Sequence, residues 1–442
     1  LFLGIYFFSG LSRVGTSFDS RWSVYIAMSL WRHGDTNLDE YKDVMQRTNW
    51  YAAECVAPDG HATLLKADTC NGHWYNTYPP GGPILTAPLT LAAVGVMHLL
   101  HPIVKNFRYD DPNAMGFFED DFDKGHAVIE MEVASALLAA TGVIVFHIAR
   151  MYLPVNRAVW LTLLFATGTS AYSVAGRGLW QHTPSILLLS IVIYLLLGAR
   201  ERPALAAWAG LPVALSYTVR PTDSLFVIIF TVYVAVKHTR YLLWYLLAAA
   251  PIAAIFLGYN FSIYHGMLSP YYRSDLGGFR PENWPRWGYD LFSVLFAPSR
   301  GLFIYTPIFL FSVWSMVRRK WSSPVAPWLA VLALAHWLVI GAYISNWWAG
   351  HSYGPRFFTD VTPIFVLFLI PFLGRWESHG RVFRATFLLG VCLSVAIHLR
   401  GGWSIPVYRW NADPVNVDEH PSRNWDWSDP QFLRRDWRVE HR

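Results

Sequence analysis

Long apolar runs alternate along this chain with short polar connections. Runs near 1–14, 126–149, 155–174, 184–199, 203–219, 224–236, 241–262, 301–317, 325–345, 357–373 and 383–399 approach the ~20 residues an α-helix needs to cross a bilayer core. One more, Ile84–Leu100, contains Pro88 and is marginal in length. The pattern predicts an all-α polytopic membrane protein of about eleven transmembrane helices. Residues 1–400 would form the membrane domain, with a large first outer loop over about 15–125 that carries surface helices. Residues 401–442 read as a short polar tail on the outer side.

The charges between the runs set an orientation. The short basic connections are "HIARMYLPVNR" (147–157), "RER" (200–202), "KHTR" (237–240), "RRK" (318–320) and "GRWESHGRVFR" (374–384). They recur after every second run and so share one side, which the positive-inside rule assigns to the cytoplasm. The connections "GRGLWQHTPS", "RPTDS", 263–300 and "SNWWAGHSYGPR" are richer in Trp, Tyr, His and Gly and fall outside. The expected location is the cytoplasmic (inner) membrane, with the site facing away from the cytoplasm. The alternation does not decide whether Ile84–Leu100 crosses. Its proline and its length favour an interfacial or re-entrant helix on the outer surface.

Composition agrees with that class. Apolar residues make up 54% and charged residues 15%, against about 25% charged in soluble chains. The 22 tryptophans suit the membrane–water boundary, where indole concentrates. No phosphate-cradling glycine loop and no basic nucleic-acid patch is present. H-E-x-x-H, C-x-x-C and G-x-S-x-G are absent, which leaves zincin, thiol-redox and hydrolase-elbow chemistry unsupported. No ligand cluster calls for a metal, and no cofactor is required by the sequence. Cys55 and Cys70 share one polar region. They bridge if it faces an oxidising compartment, and otherwise remain two thiols.

The candidate chemistry lies just past the first run. Asp19 precedes "SRWSVYIAMSLW", which reads as a short helix along the membrane surface. Asp19 would cap this helix, act as a general base at a lipid-facing cleft, or do both. Asp35, Asp39 and Glu40 in "HGDTNLDEY" are ordinary turn or solvated residues, and also the possible second acids. The rigid corner in "NGHWYNTYPPGGPILTAPL" follows a hairpin or turn at Asn71-Gly72 and sits beside His73, Tyr75 and Tyr78, a set suited to a sugar or acceptor pocket. Arg177, His182, Arg220, Arg300, His351 and Arg356 fall on outer connections, where the positive-inside rule disfavours cations. A lipid phosphate, which arginine pairs bidentately, would account for them.

Taken together, the acid after the first run, "HGDTNLDEY", "YNTYPPGG", "RPTDS", "SRGLFIYTPIFL" and "WWAGHSYGPRFFTDVTPIF" resemble the GT-C superfamily. Within it, the chain is most similar to the lipid-carrier-dependent glycosyltransferases of the protein mannosyltransferase-related group. The resemblance implies an enzyme that moves a sugar from a polyprenyl-phosphate donor to a hydroxyl of a glycan, lipid or protein acceptor. Asp19 matches the family's first-loop catalytic acid, with Asp35, Asp39 or Glu40 as a second. Arg356, His351, Arg177, His182 and Arg300 would bind the donor phosphate. Two rival readings are a ligase or polymerase of lipid-linked glycans and a transporter of lipids or sugar-lipids.

Overall fold

A computed structural model describes residues 1–16, 18–104, 122–273, 280–342 and 346–435. Helices form on every apolar run. Among the described residues, five are long and apolar enough to cross a membrane: Gly81–Leu100, Gly125–Arg150, Thr239–Tyr264, Arg356–Gly374 and Arg381–Trp403, with a sixth if one bent pair counts as a single span. The other runs give shorter or interrupted helices, and the interruptions have local causes. The 155–174 run stops at Gly168; there Thr169 caps the next turn by accepting from the Ala171 N–H at 3.2 Å, and the axis bends by 42°. The 301–317 run divides into Leu302–Tyr305 and Phe309–Val317 around Pro307. Proline lacks an N–H and keeps the residue before it out of helix.

The helices differ in what covers them. Gly125–Arg150 and Arg356–Gly374 lie in the interior, against Val155–Thr167 and His182–Gly198, and carry much of the core: Leu138, Ile148, Phe165, Ile193, Ile364 and Phe365. Thr239–Tyr264 is only 11% buried and leaves Leu243, Trp244, Ile255 and Phe261 bare. Apolar faces of that size are not kept in water by soluble proteins. Lipid satisfies them, and the helix needs no outside partner for its backbone.

At one end of the bundle sits a polar lobe that corrects the all-α expectation. Three antiparallel strands, β1 (Ala53–Val56), β2 (Ala62–Thr63) and β3 (His73–Asn76), pair in the order β2-β1-β3. Cys55 and Cys70 are bridged, closing the connection from β1 to β3. Asn71-Gly72 is therefore not the turn of a hairpin; it leads into β3, with Gly72 so close to β1 that a Cβ would stand 2.1 Å from the Val56 carbonyl oxygen. The Trp50 and Trp74 rings stack at 4.5 Å beneath the sheet.

Helix Trp22–Arg32 is not the surface helix its sequence suggests, because every residue from Trp22 to Ser29 is buried. One face meets the lobe through Trp22, Tyr25 and Ile26, and the other meets Val94, Ile129 and Val133 through Val24 and Met28. Helix Gly81–Val104 continues through Pro83 and Pro88, so proline does not break it as expected. It is long and apolar enough to cross a membrane. Gly81 lies against Thr218 and Gly82 against Pro184, while Leu91, Val94 and Met97 pack with helix Trp22–Arg32 and with Ile129, Val133 and Leu137 of helix Phe122–Arg150.

Candidate active site

The polar connections converge over the end of the bundle, and each is held by local chemistry. The segment before Asp19 is tied to the 176–182 turn. Thr16 N–H donates to the Arg177 carbonyl at 2.8 Å, and the Trp180 indole N–H donates to Thr16 Oγ1 at 2.8 Å. Gly178 permits this approach, since a Cβ there would stand 2.2 Å from the Thr16 carbonyl oxygen. Arg220 ends helix Gly210–Val219 in extended backbone, as Pro221 after it requires. Arg356 opens the turn Arg356–Val361 immediately after Gly354-Pro355. Gly354 has φ +59°, and a side chain there would meet the Tyr305 ring at 2.5 Å, so only glycine fits.

These elements enclose an open cleft of about 580 Å³ lined by Phe18, Asp19, Tyr51, Tyr78, Arg220 and Arg356, among others. The Asp19 carboxylate is at its centre. Arg356 Nη2 donates to Asp19 Oδ2 at 2.5 Å, and the Tyr51 hydroxyl donates to Oδ1 at 2.7 Å. Burial pushes the Asp19 carboxyl up. The Arg356 charge, together with hydrogen bonds from Tyr51, Arg356 and Tyr78, outweighs burial and holds the group below its ordinary value. Asp19 is therefore not a helix cap. The residue before helix Trp22–Arg32 is Arg21, and no side chain caps that end.

Beneath the cleft lies a second, fully buried group. His182 Nδ1 is 2.7 Å from Asp360 Oδ1, and Arg220 Nε is 2.9 Å from Asp360 Oδ2. With Nδ1 donating to the carboxylate, His182 Nε2 is the acceptor. It faces Arg356 Nε at 3.4 Å and Arg220 Nη1 at 3.5 Å. The Arg356 guanidinium also lies over the Trp180 ring, 3.9 Å from its centre, an attractive position for a cation. The buried carboxylate thus orders one histidine and one arginine, and these in turn orient Arg356 toward the cleft.

The structure sorts the expected site residues sharply. Asp19, Arg356, Tyr78 and His182 come together, and His351 stands at the rim, 2.8 Å from Asn416 Oδ1. Arg177 does not face the cleft; it is buried, donating to the Ser9 and Tyr172 carbonyls at 2.9 and 3.0 Å. Arg300 is buried too, holding the Trp348 carbonyl at 2.8 Å and Gln431 and Asn411 at 2.7 Å each. His73 and Tyr75 belong to β3 and line no part of the cleft; His73 Nδ1 is 2.6 Å from Asp39 Oδ2. Asp39 also accepts from the Trp74 N–H at 2.9 Å, fastening the lobe. Glu40 is bonded by Ser29, and Asp35 accepts from Asn37 at 3.0 Å. None of Asp35, Asp39 and Glu40 reaches the cleft.

Asp360, Tyr51, Trp180 and Tyr271 belong to the site without having been singled out in the sequence. Asp360 had a readable signal, a lone carboxylate opening an apolar run, which in a membrane segment marks function or a buried partner. Tyr51 had none. The tail also enters, since Asn416 and Asp418 form part of the cleft wall. Among the described residues no group of three His, Cys, Asp or Glu side chains has the arrangement to hold a metal ion. Compared with known proteins, the chain matches no family model, no curated relative and no solved structure.

Proposed function

We propose that this protein is a multispan glycosyltransferase of GT-C type, with about eleven membrane passes. It moves a sugar from a polyprenyl-phosphate donor to an acceptor hydroxyl on the extracytoplasmic face, with inversion. The observation that carries the reading is an ionised carboxylate, Asp19, in an aromatic-walled cleft with Arg356 and Arg220 beside it. The acceptor oxygen attacks the anomeric carbon, the bond from that carbon to the phosphate oxygen breaks, and the hydroxyl proton passes to Asp19. The phosphate leaves with its charge matched by Arg356 and Arg220, the kind of electrostatic aid that dominates such steps.

The ion pair makes this sequence of events ordered. With no donor bound, Arg356 holds Asp19 ionised and weakly basic. A donor phosphate competes for the guanidinium. Once Arg356 turns to it, burial is no longer outweighed and the proton affinity of Asp19 rises, so the base strengthens as the donor arrives. A place for the lipid chain adjoins the site. An apolar crevice of about 490 Å³, walled by Leu302, Phe303, Trp337 and Phe358, backs onto the turn that carries Arg356, and the neighbouring Phe357 faces the cleft.

The test is sugar transfer from a panel of polyprenyl-phosphate sugars, with wild type and Asp19→Asn purified side by side and donor binding measured in both. Loss of about 10²- to 10⁴-fold in rate with binding kept is the expected result for a general base. Equal turnover by both would remove Asp19 from the mechanism. Binding by both with turnover by neither, acceptor present, would favour a transporter.

A further inference from the structure

A second site lies on the far side of the end of helix Arg381–Trp403. Val391, Val395, Leu399 and Trp403 are four residues apart and share one helix face. Along the lower half of this face runs an apolar crevice of about 440 Å³, closed by Gly4 and Phe8 from the first helix and by Trp160 from helix Val155–Thr167. Further along the same helix, beside Leu399 and Trp403, lies a separate hollow of about 680 Å³ flanked by Arg13 and Arg400. The site has an apolar floor, two guanidinium groups at its polar end and an indole at the boundary between them.

The two arginines are short of partners. Among the described residues no carboxylate pairs with either one. Arg400 donates one N–H to the Arg434 carbonyl, while its Nε–H is buried with no acceptor. With no carboxylate beside them, the charges of Arg13 and Arg400 are left for an anion in the hollow to balance. Two guanidinium groups are suited to phosphate, and a crevice opening sideways from the bundle below them is suited to an acyl chain. The hollow is separated from the cleft. The backbone N–H groups of Arg13 and Val14 both donate to the Gly402 carbonyl, at 3.0 and 3.1 Å, a seam between the hollow and the segment that carries Asp19, and the two share no lining residue.

We infer that Arg13, Arg400 and the crevice below them form a binding site for an anionic phospholipid of the bilayer, distinct from the cleft and independent of its chemistry. Phosphate would sit between the two guanidinium groups, one acyl chain would descend past Val395 and Phe8, and Trp403 would mark the head-group level, where indole is at home. The seam is what assigns the site to a bilayer lipid and not to a carrier substrate.

The test is native mass spectrometry of the purified full chain with dioleoyl phosphatidylglycerol and dioleoyl phosphatidylcholine offered in equal amounts. Each surface cation adds about 1 kcal/mol of attraction to anionic lipid. Wild type is therefore expected to retain phosphatidylglycerol about tenfold or more over phosphatidylcholine. Arg13→Ala, at an exposed side chain, should lower the preference about fivefold, and Arg13→Ala with Arg400→Gln should bring it near parity. Gly4→Phe, where nothing stands within 4 Å of the added Cβ, should fill the crevice and reduce retention of both lipids with the unfolding temperature unchanged. Equal retention by wild type, or a preference that survives Arg13→Ala undiminished, would overturn the inference. So would displacement of phosphatidylglycerol by equimolar polyprenyl phosphate, which would make the site a carrier's.

Discussion

Arg300 and Arg356 each sit at the bend between a polar connection and an apolar run, and in the sequence they look interchangeable. In the fold they are opposites. Arg300 is enclosed by backbone carbonyls and by Gln431 and Asn411, its hydrogen-bonding capacity used within the protein. Arg356 has one strong partner, Asp19, across an open cleft, a longer bond to the Ala349 carbonyl at 3.3 Å, the Trp180 ring beneath it and the His182 nitrogen beside it. Arg177 belongs with the first, while Arg220 stands between them, fixed to the buried Asp360 yet lining the cleft. The difference teaches that a cation near a membrane boundary is a binding group only when its partners are exchangeable. A guanidinium wrapped in carbonyls is a brace.

The contrast can be broken most directly at Arg356. Arg356→Ala should lower the transfer rate by about 10²- to 10³-fold while leaving the unfolding temperature close to wild type; a large stability loss would put Arg356 among the braces. Arg300→Met is the mirror test. It leaves buried acceptors without their donor and should destabilise by about 3 kcal/mol or more, read as a lower midpoint in thermal unfolding, with whatever protein survives turning over normally per folded molecule.

A pH profile sharpens the same point. In the free protein the Asp19 carboxyl lies below its ordinary value. Its stabilising ion pair is therefore complete above the unfolded value of about 3.9 and is lost as pH falls through the lower folded value. The acid limb of kcat/KM, which reports the free enzyme, should lie below the ordinary aspartate range. On the proposed mechanism bound donor draws Arg356 away, and the limb of kcat should then lie higher. Coincident limbs would mean that Arg356 never leaves Asp19. The smallest effect belongs to His351, held at the rim by Asn416. His351→Ala should change kcat/KM by less than about threefold, and a larger loss in steady-state kinetics would move the phosphate site outward to the rim.

Much of the frame was legible. The apolar runs gave the helices, because burial in lipid and the backbone's need for internal hydrogen bonds leave little choice to a long apolar segment. Their lengths were less legible. Gly168 and Pro307 cut two runs, and helix Gly81–Val104 ran on through the proline that was expected to weaken it. In the site, Asp19 and Arg356 stood out by type and position, while Tyr51 and Trp180 did not. Aromatic residues are so common here that no pattern separates one facing the cleft from one packed in the lobe, such as Trp74. His73 and Tyr75 were misplaced for a related reason, since the strand that pairs His73 with Val56 has only four residues, too few to stand out as a strand in the sequence.

The sequence by itself determined that this is a helical chain suited to lipid, with its polar residues gathered in the connections and one carboxylate just past the first apolar run. Those properties are local, set by the period of hydrophobicity and by the cost of leaving polar backbone or charge in hydrocarbon. Only the tertiary structure decided which of those charges meet. Asp19 and Arg356 are far apart in the chain and stand 2.5 Å apart in space, while Asp39, much nearer in sequence, is bonded into the lobe and Asp35 is exposed beside Asn37. Pairing over such distances depends on how the helices pack, on Gly178 and Gly354 admitting close approaches, and on the buried Asp360 drawing His182 and Arg220 beneath the cleft. No period in the sequence encodes that arrangement, because it arises from contacts between elements and not within them.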